Sequence, residues 1–159
     1  MKRVNSRVVL GALLTLVVAT TGSATETDPI VGTWKLNLAR SVFAGVPALK
    51  SQIRTYSGSG RKFTLKMITV NGEGKETTTQ ATYQLNGKDY PSMGNPDFDS
   101  LSGLQIDTNT AEFTLKRSGK PVGKIRRAVS DNRRTLTINF VLMNAEGVQT
   151  SALTVFDRQ

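Results

Sequence analysis

The sequence predicts an all-β domain, a single antiparallel up-and-down barrel of about eight to ten strands. Three observations carry that expectation. From residue 30 to the C-terminus, short runs rich in valine, isoleucine, threonine and aromatics recur at nearly even spacing. The joints between them hold turn chemistry: Gly58-Ser59-Gly60, Asn71-Gly72-Glu73-Gly74, Asn86-Gly87, Asp131-Asn132 and Glu146-Gly147. After residue 24 no apolar period of 3.6 persists beyond a single turn.

Residues 1–24 have the three parts of a secretory signal: Lys2, Arg3 and Arg7, an apolar run over 8–19, then small residues up to Gly22-Ser23-Ala24. The run falls short of the roughly 20 residues that span a bilayer, so cleavage after Ala24 is expected and a membrane-spanning anchor is not. Residues 25–159 then make one domain with one core. The chain contains no cysteine and no histidine. An exported domain without disulfides suits a bacterial envelope, so a periplasmic or secreted location is expected. The same absence removes Ser-His-Asp and Cys-His nucleophiles and most zinc sites, and no enzyme activity, cofactor or metal is expected. Lysine and arginine number 21 against 12 acidic residues, and three of the basic ones lie in the leader. Such a balance favours attraction to an anionic envelope surface, and serves solubility equally well.

The first strand, residues 30–36, holds the single tryptophan, Trp34. Gly32 before it leaves room for another backbone to pass while the indole plugs one end of the core. Residues 37–50, with Gly45 and Pro47, show no clear period, and 38–43 suffice for one helical turn. Strands follow at 51–57, 62–70 and 75–85. Residues 88–100, with Tyr90-Pro91 and Asn95-Pro96, read as a loop whose Tyr90, Met93 and Phe98 either form a lip over the interior or cap the core. Strands at 101–107, 112–117, 122–130, 135–143 and 148–157 complete the set.

Alternation assigns the faces. In 135–143, Leu136, Ile138, Phe140 and Leu142 oppose Thr135, Thr137 and Asn139. By the same phase Phe113 and Leu115 turn inward, and Ile125, Arg127 and Val129 share one face. Arg127 is out of place there. Either it enters the interior and needs an anion or a hydrogen-bonded partner, or a bulge shifts the phase and puts it or Arg126 outside. The strand over 75–85 offers Thr77, Thr79, Ala81 and Tyr83 to one side and Thr78, Gln80 and Thr82 to the other. An interior that thin in bulky groups is underfilled or hollow.

Two further clusters have bland readings. Lys116, Arg117, Lys120, Lys124, Arg126, Arg127, Arg133 and Arg134 face only Asp131 within two adjacent hairpins, a docking patch for anionic polymers or a solvated basic face. The aromatic interleaving that stacks bases is missing, so no nucleic acid is expected as a partner. Asn95, Asp97 and Asp99 alternate like the opening of a calcium loop, but Ser100 replaces the required glycine and Ile106 the closing glutamate, which leaves an ordinary loop.

Gly32-Thr33-Trp34-Lys35-Leu36 resembles the opening strand of the lipocalin and fatty-acid-binding-protein (calycin) superfamily, and Thr154-Val155-Phe156-Asp157-Arg158-Gln159 is similar to the final strand of its intracellular members. The whole looks like a small exported bacterial protein of lipocalin-like type. The resemblance implies a barrel closed at one end by Gly32, Trp34 and a basic cover, here Arg158. Two departures stand out. Residues 37–50 are too short and too broken for a helix-turn-helix lid, and Thr154 and Phe156 replace an Arg-x-Tyr pair that grips fatty-acid carboxylates. The function expected is noncatalytic binding of a small apolar or amphipathic molecule. Met67, Tyr83, Phe113, Leu115, Ile138 and Phe140 would line the cavity, with Arg127 as headgroup partner. The alternative is an interaction protein with a solid core that docks to anionic envelope components, or to a protein, through its basic surface.

Overall fold

The computed structural model describes residues 27–159, so the expected signal segment and its cleavage point lie outside the described residues. One antiparallel sheet accounts for the domain. Its strands are β1 (Gly32–Leu36), β2 (Val42–Ala44), β3 (Leu49–Ser59), β4 (Lys62–Asn71), β5 (Glu76–Gln84), β6 (Asn86–Met93), β7 (Ser100–Gln105), β8 (Thr110–Arg117), β9 (Lys120–Val129), β10 (Thr135–Met143) and β11 (Gln149–Arg158). From β3 to β11 each strand pairs with its neighbour in sequence. β1 pairs with β3 through Trp34↔Arg54 and with β11 through Trp34↔Arg158, which closes a ten-stranded barrel. The short β2 is an eleventh strand that continues along β11 beyond β1. The predicted all-β barrel is therefore the observed one, with two strands, β2 and β6, beyond the nine that the sequence resolves.

Residues 37–50 bring the chain from β1 to β3. A single 3-10 turn (Leu38–Arg40) stands where one helical turn is expected, with the Arg40 N–H shared between the Asn37 carbonyl at 3.3 Å and its Oδ1 at 3.2 Å. Arg40 and Asn37 both reach Asp157, at 3.0 and 2.7 Å, which seats this corner on β11.

The predicted loop over 88–100 needs correction. Strand β6 runs straight through Tyr90-Pro91, with Tyr90↔Leu101 and Pro91↔Ser100 in register on β7. On its other side β6 pairs with β5 only at Gln80↔Met93 and Ala81↔Ser92. Pro91 has no N–H to offer and sits where that ladder has already opened, so a proline costs the sheet little. The true loop is residues 94–99. Of the three side chains expected at a lip, Met93 points out to solvent and Tyr90 is half-buried on β6, while Phe98 alone stands on that loop and reaches the interior cavity.

One end of the barrel is plugged. Trp34 is fully buried and its indole N–H donates to the Ile30 carbonyl at 2.8 Å. The Arg158 guanidinium lies 4.2 Å from the ring centroid and donates to the carbonyls of Pro29, Val31 and Arg133. Three carbonyls and an indole face satisfy one cation at the rim. Gly32 has φ +138°, and a Cβ there would stand 2.6 Å from Arg158 Nη1. The space expected for a passing backbone is thus filled by a side chain. Replacing Trp34 with alanine should cost about 3–5 kcal/mol in urea unfolding, as for other buried aromatics. Gly32→Val should also lower the midpoint, because it displaces the Arg158 cover.

Candidate ligand-binding cavity

The barrel is hollow above this plug. A cavity of about 460 Å³ runs up its axis, within the range of small-molecule sites. Its origin is the run of small inward side chains: Thr79 and Ala81 on β5, Ser92 on β6, and Thr150 and Thr154 on β11. They face bulky groups on β4, β8 and β10 and cannot fill the space between. The thin inner face of β5 was the legible sign of this.

Every residue expected as lining borders the cavity: Met67, Tyr83, Phe113, Leu115, Ile138 and Phe140, together with Arg127. For Arg127 the two alternatives are resolved. The alternation of β9 is unbroken where it matters, since the β8–β9 register slips only between Leu115 and Lys116, well away from Arg127↔Ala111. Arg127 therefore points inward and is 4% exposed, while Arg126 points out and pairs with Glu112 at 2.6 Å.

Arg127 sits in an aromatic cup. Its guanidinium carbon is 5.2 Å from the Phe113 ring centroid, 5.3 Å from Tyr56 and 6.0 Å from Phe63. Nη1 donates to Tyr83 Oη at 2.9 Å, and Tyr83 in turn meets Phe113 edge-on at 5.5 Å. Ring faces offset part of the cost of burying the cation. They do not cancel it, because Nε has no hydrogen-bond partner and no carboxylate pairs with Arg127 among the described residues.

Tyr83 is held neutral. Burial pushes its hydroxyl from 10.0 up to about 12, against the opposing pull of Arg127. Its oxygen already accepts from Arg127, so its hydrogen is free to donate to a further acceptor.

Sequence reasoning missed a second inward cation, Arg54. It follows Gln52 and precedes Tyr56 on the inner face of β3, with its guanidinium 5.1 Å from the Phe156 ring and Nε donating to Gln52 Oε1 at 3.0 Å. Gln52 passes the chain on to Thr69 Oγ1 at 2.9 Å. The apolar Ile53 lies on the outer side of this strand and is 39% exposed. With polar groups in and an aliphatic out, hydropathy had no phase to report. The one signal was Tyr56 spaced two and four residues from Arg54 and Gln52. Ser92 was missed as well, and its buried hydroxyl lacks a partner.

At the open end the β6–β7 loop is fastened down. Arg117 donates to the Asp97 carbonyl and to the Met143 carbonyl, at 2.8 and 3.1 Å. Asp97 Oδ1 accepts from Ala145 N at 3.0 Å, and Asp99 Oδ2 from Ser118 N at 2.7 Å. That last bond, with the Ser100 hydroxyl, holds Asp99 below the usual carboxylate range. Across the opening, residues 45–48 are tied to the β4–β5 turn by the Gly72 N–H to the Ala48 carbonyl at 2.7 Å.

The basic surface is less uniform than the sequence suggests. Lys116 pairs with Asp89 at 2.7 Å, Arg126 with Glu112, and Arg117 is spent on carbonyls. Acids from neighbouring strands, distant in sequence, break up the expected single-sign face.

A buried cation without a counter-charge lowers the stability of the empty barrel, so Arg127→Met should raise unfolding free energy by about 1 kcal/mol or more in denaturant titrations. Tyr83 gives a pH signature. Between its unfolded value near 10.0 and its folded value of about 12 the unfolded chain binds fewer protons, so stability falls as pH rises across that window. Tyr83→Phe should lose less stability there than the native chain does.

No protein-family model matches the chain, and no curated protein is significantly similar to it. Solved structures do match. Zebrafish ileal bile-acid-binding protein complexed with cholic acid superposes with a TM-score of 0.50 at 10% identity, over 82% of this chain and 99% of that one. The siderocalin Ex-FABP, described as functioning through dual ligand specificities, superposes at 0.44 and 10% identity, over 82% and 74%. At such identity the likeness speaks for architecture alone. By strand order, closure and superposition, this chain has the lipocalin and fatty-acid-binding-protein (calycin) barrel fold.

Proposed function

We propose that the domain binds a small amphipathic molecule inside the barrel, noncatalytically, as an exported component of a bacterial envelope. The observation that carries this reading is a hollow, mostly apolar cavity with a buried guanidinium, Arg127, at its wall that has no carboxylate partner among the described residues. Apolar surface removed from water supplies affinity, at about 25 cal/mol per Å². Arg127 fixes orientation by meeting a polar headgroup, and Tyr83 adds a neutral donor beside it. One protein with this fold is a bile-acid-binding protein solved with cholic acid, which places amphipathic acids among the classes worth testing first. The envelope location rests on residues 1–24, whose basic start, apolar run and small-residue end are those of an export signal.

The test is native mass spectrometry, with extraction of bound lipids, on protein purified from the envelope of its own host. A reproducible small-molecule adduct is expected. Ala81→Phe, which fills the cavity without adding charge, and Phe140→Glu should both abolish it. A bare polypeptide mass, with no uptake of a hydrophobic dye by the native chain, would overturn the reading.

A further inference from the structure

The cavity holds two cations, and this bears on what it binds. Arg54 and Arg127 both border it, and neither is paired with a carboxylate among the described residues. Both charges act on the Tyr83 hydroxyl, which Arg127 also meets directly. Tyr56, whose ring lies 5.3 Å from Arg127, is two residues from Arg54 on the same face of β3. The two carboxylates on the lining, Asp97 and Glu146, belong to the β6–β7 loop and the β10–β11 turn at the opening, and Asp97 is occupied by Ala145 N–H.

The buried hydrogen-bonding groups left without a partner lean the same way. Arg127 has its Nε free, and Arg54 spends only Nε, on Gln52. Tyr83 accepts from Arg127 and has its hydrogen left to give, and the buried Ser92 hydroxyl has no partner. Thr154 donates to the Ile138 carbonyl, which leaves its oxygen as an acceptor. A group that satisfied this set would be rich in acceptors and would carry negative charge.

Resting on the binding function proposed above, we propose that the bound molecule carries a dianionic headgroup of the phosphate-monoester type, held deep in the barrel between Arg54 and Arg127. A single negative charge would leave one of the two guanidiniums without a counter-charge, whereas two charges neutralise both. A phosphate monoester also brings three terminal oxygens, where a carboxylate has two, to meet the donors of two arginines and a tyrosine. The apolar tail then runs towards the opening past Leu65, Met67, Leu115, Phe140 and Leu142.

The experiment compares four molecules with the same twelve-carbon chain, below their micelle concentrations: dodecyl phosphate, dodecyl sulfate, dodecanoate and dodecanol. Each is titrated calorimetrically into delipidated protein at pH 8. Dodecyl phosphate should bind at least about tenfold more tightly than the sulfate or the carboxylate. Arg54→Gln should reduce that advantage to about twofold or less while changing sulfate binding only slightly. Arg54→Lys, which keeps the charge, should retain most of it, and circular dichroism checks that both variants fold. Equal affinity for phosphate and sulfate, or an advantage that survives Arg54→Gln, overturns the assignment. Dodecanol binding as tightly as the anions overturns it too, yet leaves cavity binding in place. No binding by any of the four would instead remove the binding function itself.

Discussion

Closure depends on one short strand. β1 is five residues long and, among the described residues, is the only bridge between β3 and β11. Without it the sheet would end in two long open edges, each a row of unpaired backbone groups. Trp34 lies at the centre of that bridge, paired to Arg54 on one side and Arg158 on the other. The same residue therefore fixes the circumference of the barrel and seals its lower end. Arg158 completes the seal by tying the last strand to the carbonyls of Pro29 and Val31, which lead into the first.

Once the circumference is set, the interior has to be filled, and this sequence leaves it partly empty. Ten strands enclose more volume than the threonines, Ala81 and Ser92 can occupy. Into that space the chain places two arginines and no acid to match them. A protein selected only for stability would put aliphatic side chains at those positions. Aromatic rings make the cations tolerable in the meantime: Tyr56, Phe63 and Phe113 around Arg127, Phe156 beneath Arg54. Under the proposed binding role, these inward polar groups are accounted for by the molecule they would meet, and the outer surface carries no comparable cost.

Most of the fold was legible because it rests on local rules. The strand over 135–143 coincides with β10, and its inner face of Leu136, Ile138 and Leu142 is buried as alternation requires. The signal failed where two-fold periodicity meets something non-local. Tyr90-Pro91 looked like a loop because a proline argues against a central strand, and only the lapse of β5–β6 pairing explains why it fits. Arg54 was invisible because a polar inner face inverts the code that hydropathy reads. Arg127 was visible because its strand neighbours, Ile125 and Val129, are apolar. The breaking of the basic cluster by Asp89 and Glu112 depends on cross-strand register, which a single sequence does not display.

The two sides of the opening are fastened very differently. The β6–β7 loop is held by Arg117, Asp97 and Asp99 to two other turns, whereas residues 45–48 facing it are held to the β4–β5 turn through a single backbone bond from Gly72. One side is a fixed jamb and the other a light door. For the binding role proposed, the side with fewer fastenings is the one that would yield to a molecule passing in or out. Loading and release would then share one kinetic barrier. Val46 and Pro47 on that lighter side also border the cavity, so any change at 45–48 alters the doorway and the wall of the chamber together.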